Sequence, residues 1–210
     1  MKPRIRQKRK DGLKRQEQIL QIALKLFAEK GYHAASINDI IEAAGIAKGT
    51  FYLHFTGKFD LLDRMISSNI DLLSLYVKEL DISKPVPVAE IRQIYKNFVA
   101  VLGTFKNFRY LVKLVLSEYM NIDPALTEKV NGFFDSTIAM TAVFIRQAQV
   151  IGRVHPTLDP DISSTCIVGS VRELLYRWAV RSQPIDFNAS LTSMLDLYLN
   201  GLLIEREWEG

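Results

Sequence analysis

At 210 residues, 48% hydrophobic and 24% charged, the chain is long enough for one large core or for a small domain beside a larger one. No apolar run approaches the roughly 18 residues of a membrane span, and no secretory signal is expected at the N-terminus, so a cytoplasmic protein with no membrane partner is anticipated. The net charge of +4 is unevenly placed: residues 1–60 hold 12 Lys/Arg against 6 Asp/Glu, and the remaining residues hold 15 against 17. Positive charge gathered at one end is what a phosphate-binding surface requires.

In chain order, Met1–Arg15 carries eight basic residues and one acid without a hydrophobic period. Residues 1–15 are therefore expected to be a basic arm that lacks fixed structure without a partner. A first helix is predicted from about Leu13 to Lys30, with Ile19, Ile22, Ala23, Leu26 and Phe27 in an amphipathic stripe, and Gly31 ends it. Ser36 and Asp39 form an [ST]-x-x-[DE] start signal, after which Ile37, Ile40, Ile41 and Ala44 recur at helical spacing. Gly45 supplies a left-handed helix end, and Ile46 plugs the corner. A second short helix follows over about Ala47–Phe55. Phe51 and Phe55 point inward, while Lys48, Thr50, Tyr52 and His54 form an exposed side rich in hydrogen-bond donors. This pair of helices reads as a helix-turn-helix.

The stretch GIAKGTFYLHFTGKFDLL, with the preceding KGYHAASINDIIEAAG, resembles the signature of the tetracycline-repressor (TetR) family of bacterial transcription regulators over about residues 15–65. The rest of the chain matches only in length and helical layout. The resemblance implies an all-α homodimer of about nine helices, with an N-terminal three-helix DNA-binding domain (16–60) and a larger effector-binding and dimerisation domain (61–210). It implies a regulator and not an enzyme, most simply a repressor released from a pseudo-palindromic DNA operator by a small hydrophobic or amphipathic effector. The alternative is a DNA-binding protein of the same fold whose C-terminal half takes a protein partner. On the family pattern Tyr52 and His54 match positions that hold the DNA backbone, Lys58 matches a phosphate contact, and Lys48, Gly49 and Thr50 lie where bases are read. Ser36 and Asn38 would add phosphate contacts. The chain departs from the commonest pattern at Leu53, where an aromatic is frequent, at Thr56-Gly57, and at Phe59, where an acid is common.

Downstream, Phe59, Leu61, Leu62, Met65 and Ile66 open a fourth helix that continues to about Leu80, and Ser83–Pro87 reads as a linker. Further helices are predicted over Val88–Phe105, Asn107–Asn121, Pro124–Ile151, Pro160–Ser182 and Phe187–Arg206. Asp123-Pro124 and Asp159-Pro160 supply N-caps for two of them. The middle helices are rich in large apolar groups with polar ones among them. Tyr95, Phe98, Leu102, Tyr110, Glu118, Phe134, Ile138, Thr141, Arg172 and Tyr176 are the candidate effector-binding residues, suited to a lipid-like or acyl-thioester ligand or to a flat hydrophobic drug. Ile162, Cys166, Gly169, Leu191, Met194, Leu195, Tyr198 and Leu202 supply small and apolar faces suited to a four-helix dimer interface.

Cys166 is the sole cysteine and is expected to be a small buried residue. His33, His54 and His155 show no metal-ligand spacing, and no G-x-S-x-G, phosphate-loop or H-E-x-x-H motif is present, so neither metal, cofactor nor catalytic residue is expected.

Overall fold

The computed structural model describes residues 2–78, 93, 96–97, 107–118 and 122–202. Among these, eight helices follow one another: α1 (Lys2–Lys30), α2 (Ile37–Ala44), α3 (Lys48–His54), α4 (Lys58–Lys78), α5 (Phe108–Glu118), α6 (Pro124–Val150), α7 (Pro160–Ala179) and α8 (Phe187–Leu202). The fold is all-α. The predicted Ser83–Pro87 linker and the Val88–Phe105 helix lie outside the described residues, as do Tyr95, Phe98 and Leu102 and the side chain of Glu118.

The described residues fall into two compact units. The first takes in those of Met1–Ser74 and Phe105–Thr127, the second those of Leu75–Thr104 and Glu128–Gly210. The first unit thus keeps α4 as far as Ser74, beyond the boundary read after residue 60. Burial explains this: Leu61, Leu62, Met65 and Ile66 are all withdrawn from solvent, so the start of α4 is part of that core. Its other walls are Ile19, Ala23, Leu24, Phe27 and Ala28 of α1, Ile40 and Ala44 of α2, Phe51 and Phe55, and Leu111, Val112 and Leu114 of α5. Ile22 and Leu26 flank the α1 stripe and are only half-buried. α1 packs on both α2 and α5, and the Asn107 side-chain amide donates to Gln21 Oε1 at 2.7 Å where α5 begins.

α1 begins at Lys2, so most of the segment read as an unstructured arm is helical. Lys, Arg and Gln lose little side-chain freedom in a helix, and a helix already nucleated by the buried stripe adds one hydrogen bond for each residue it extends.

In the second unit α7 packs on α8. Asp159 caps α7 by accepting from the backbone N–H groups of Asp161 and Ile162, with Pro160 in the first turn, as the Asp-Pro signal predicts. In the first unit Asp123 likewise accepts from the Ala125 N–H at the start of α6. Between α6 and α7, Gln149 donates to the carbonyls of His155 and Leu158, and Arg146 reaches both carboxylate oxygens of Asp161 at 2.6 Å. The buried residues here include Val130, Ala142, Ile145, Val154, Ala179, Leu191 and Leu199. Among the described residues no helix is long and apolar enough to cross a membrane.

Candidate nucleic-acid interface

Local chemistry fixes both short helices. Ser36 accepts from the Asp39 N–H at 3.1 Å, and Asp39 accepts in return from the Ser36 N–H at 2.8 Å, a complete capping box. The Ser36 hydroxyl also donates to Asp39 Oδ2 at 2.6 Å, and Lys30 Nζ donates to Oδ1 at 2.9 Å, tying the end of α1 to the start of α2. These donors, the Ser36 hydroxyl first and Lys30 second, hold the Asp39 carboxyl well below the usual carboxylate range. At the other end of α2, Gly45 adopts φ 60°, ψ 41°, and the N–H groups of Gly45 and Ile46 return to the carbonyls of Glu42 and Ile41. A β-carbon there would be strained, so the turn into α3 depends on glycine.

α3 is only seven residues long and is held by its inward aromatics. Phe51 and Phe55 are fully buried, with ring centroids 5.7 Å apart. Tyr52 meets the Phe51 ring edge-on at 5.3 Å yet stays half outside. Lys48, Gly49, Tyr52 and Leu53 are exposed, while Thr50 and His54 are half-exposed. The expected reading face is therefore assembled on one helix, and Asn38 of α2 is exposed as well. A β-carbon added at Gly49 would meet nothing within 4 Å, so the helix surface lies open there.

Two of the expected phosphate contacts are already committed inside the protein. The Ser36 hydroxyl is spent within its cap. Lys58 Nζ donates to the carbonyls of Tyr32 at 2.7 Å, Ala35 at 3.0 Å and His33 at 3.3 Å, and sits 4.4 Å above the Tyr32 ring. An ammonium has three N–H donors, and all three are used. Lys58 thus clamps the α1–α2 turn to the first residue of α4, a contact inside the protein that the sequence reading did not include. No local signal reveals this, because its partners lie more than twenty residues upstream. Asp60 supplies the acid that the sequence lacks at Phe59: it accepts from the Thr56 N–H at 2.8 Å and from Arg64 at 2.6 Å. Burial opposes its ionised form, but these bonds prevail and leave its carboxyl lowered.

Residues 19–65, which hold this arrangement, match the family described as bacterial regulatory proteins, tetR family. The chain carries the DNA-binding domain of the TetR family. It is a DNA-binding transcriptional regulator, and the family is not one of enzymes. It is 24% identical to the fatty acid metabolism regulator protein of Bacillus subtilis (strain 168) over 185 residues, which cover 88% of this chain and 94% of that one. The fold is shared with the regulator FadR from Bacillus subtilis, solved in complex with stearoyl-CoA (TM-score 0.69, 24% identity, 88% of this chain and 98% of that one). It is shared also with KstR2 of Mycobacterium tuberculosis, a ketosteroid transcriptional regulator (TM-score 0.73, 21% identity, 91% and 96%). In this chain the helix-turn-helix occupies α2 and α3, with α1 and α4 as its supports.

The candidate effector and dimer residues are less tightly assembled. Tyr110 lies half-buried on α5 in the first unit, and Phe134, Ile138, Thr141, Arg172 and Tyr176 lie on α6 and α7 in the second. The Arg172 guanidinium stands 5.1 Å from the Phe134 ring centre, so these two do meet. The Thr141 hydroxyl donates to its own helix at the Thr137 carbonyl, 2.8 Å away. On α7 and α8, Cys166, Gly169, Met194 and Tyr198 line an open groove of about 620 Å³, with Ser170 donating to or accepting from the Tyr198 hydroxyl at 2.6 Å. Ile162 is exposed on α7, and Leu195 and Leu202 are half-buried on α8. Two expectations are corrected. Cys166 is exposed and not part of a core, because the groove it lines between α7 and α8 is open to solvent. Leu191, expected at a dimer surface, is 2% exposed and belongs to the protomer's own packing of α8. Among the described residues no three His, Cys, Asp or Glu side chains are grouped to hold a metal ion.

Proposed function

We propose that this regulator is a homodimeric repressor that leaves its operator when a hydrophobic or amphipathic ligand occupies the second unit. The observation that carries the reading is α3, whose buried Phe51 and Phe55 orient an outward face of Lys48, Gly49, Thr50 and Tyr52, flanked by His54. Tyr52, His54 and Asn38 hold the DNA backbone, and Lys48, Gly49 and Thr50 face base edges in the major groove. Lys58 and Ser36 act indirectly, by fixing where those groups sit. One such helix covers few base pairs, so two copies read two half-sites about one ~34 Å helical turn apart. The exposed Ile162, Cys166 and Gly169 of α7, beside Met194 and Tyr198 of α8, support a pairing surface between copies.

For the effector, the acyl-thioester in the FadR complex and the role of KstR2 as a ketosteroid regulator favour a large apolar ligand. Arg172 beside Phe134 suits the anionic end of such a molecule. α4 is one continuous helix whose residues to Ser74 belong to the first unit and whose last residues belong to the second, which suits it to carry the change. Native mass spectrometry of freshly purified protein tests both halves of the reading. A dimer that gains a discrete extra mass with long-chain acyl-CoA, and leaves DNA over the same concentration range in an anisotropy titration, is the expected result. A monomer at micromolar concentration overturns the two-half-site mechanism. A dimer whose DNA complex is indifferent to acyl-CoA and to steroids turns the reading toward a protein partner.

A further inference from the structure

Leu53 is 83% exposed, and its bearing on α3 is specific. At 3.6 residues per turn, residues two before and two after Phe51 are each turned about 160° from it. Those residues are Gly49 and Leu53. With Phe51 fully buried, they form the pole of α3 farthest from the core, one turn apart. Solitary exposed leucines are common on protein surfaces. This one stands at the crest of the helix that reads DNA, beside a glycine over which the surface is open, and between the exposed Tyr52 and the half-exposed His54.

We propose that Leu53 determines specificity by packing on the C5-methyl group of a thymine in the major groove, with Gly49 leaving room for that base edge to approach. The inference rests on α3 being the DNA-reading helix and extends that interface by one residue that is neither charged nor a hydrogen-bond donor. A thymine methyl is the apolar feature of the major-groove edge, and an apolar side chain is the group that distinguishes it from cytosine or from uracil. The protomer does not use Leu53 for its own core, so its contribution is made only when DNA is bound.

The test uses the full-length protein and a duplex selected by it from a random double-stranded library. Each thymine of that duplex is replaced in turn by deoxyuridine, which removes the C5-methyl and nothing else. Affinities are measured by fluorescence anisotropy for the wild type and for Leu53→Ala. One symmetric pair of thymines should matter to the wild type by about fourfold per methyl and not at all to the variant. The variant should melt at the wild-type temperature, since the side chain is outside the core. If Leu53→Ala weakens binding but keeps the wild-type deoxyuridine profile, the leucine touches sugar or phosphate and the inference is overturned. An unchanged affinity and profile overturn it as well. Selection that enriches no duplex sinks the DNA-reading assignment of α3 itself, and is thereby distinguishable from failure of the Leu53 proposal alone.

Discussion

The helix-turn-helix and the α7–α8 pair solve the same problem, burying the apolar side of paired helices, and finish it to different degrees. Around α2 and α3 the aliphatic and aromatic groups that face inward are almost wholly covered, and apart from Leu53 and the half-exposed Tyr52 what remains outside is polar or small. On α7 and α8 large apolar groups stay exposed in the protomer: Ile162 at 65% and Leu197 at 70%. The first region is complete and presents chemistry; the second is incomplete and presents unfinished packing. A surface of the first kind suits a charged, hydrated partner, and one of the second kind suits another apolar surface.

The sharpest way to break the comparison is at the completed core. Phe51→Ala removes a fully buried ring from a seven-residue helix and should cost about 3–5 kcal/mol, abolishing DNA binding along with the first unit's thermal transition. Calorimetry and anisotropy together check this; a fully folded variant would mean that α3 is not held by its inward aromatics. Lys58→Met should follow at about 1.5–3 kcal/mol, since it strips a charged donor from three carbonyls. Its salt dependence of DNA binding should keep the wild-type slope. A phosphate contact would instead lower that slope by about 0.9, which log–log titrations resolve.

On the unfinished side, Gly169→Glu introduces a charge where the protomer offers open space, so the monomer should fold normally. The dimer should dissociate at least about tenfold more readily, as light scattering across a dilution series would reveal. An unchanged dimer would remove α7 from the proposed interface. The smallest effect is expected at the cap. Ser36→Ala should cost about 1 kcal/mol in denaturant unfolding. Asp39 adds a pH signature: its carboxyl is held below its ordinary value, so its stabilisation is complete above about pH 4 and is lost as pH falls further. The melting-temperature gap between wild type and Asp39→Asn should therefore begin to narrow on acidification from pH 7 to pH 3, and a gap that widens would contradict the cap geometry.

What the sequence made legible was local. The Ser36–Asp39 box, the Gly45 turn and the Asp-Pro caps each complete themselves within six residues, so pattern alone places them. The inward Phe51 and Phe55 were legible for the same reason, as neighbours one turn apart. Lys58 was not, because a lysine carries no sign of whether its ammonium meets phosphate or the carbonyls of a turn folded back from far upstream. Cys166 and Leu191 were exchanged between inside and outside, because both faces of α7 and α8 carry apolar residues and period alone cannot rank them. The helical extension to Lys2 escaped notice because a helix propagated from a packed segment needs no hydrophobic stripe of its own.

The bearing of Gly49 and Leu53 away from Phe51 has an evolutionary consequence. The core needs no side chain at either position, so changes there are nearly silent for folding while, on the interface proposed above, they alter what the protein recognises. Operator preference can then drift, or be redirected by a small combinatorial library at residues 49, 50 and 53, without first acquiring a stabilising mutation elsewhere. A duplicated copy of such a regulator could take on new promoters within a few substitutions while its fold stays as it was.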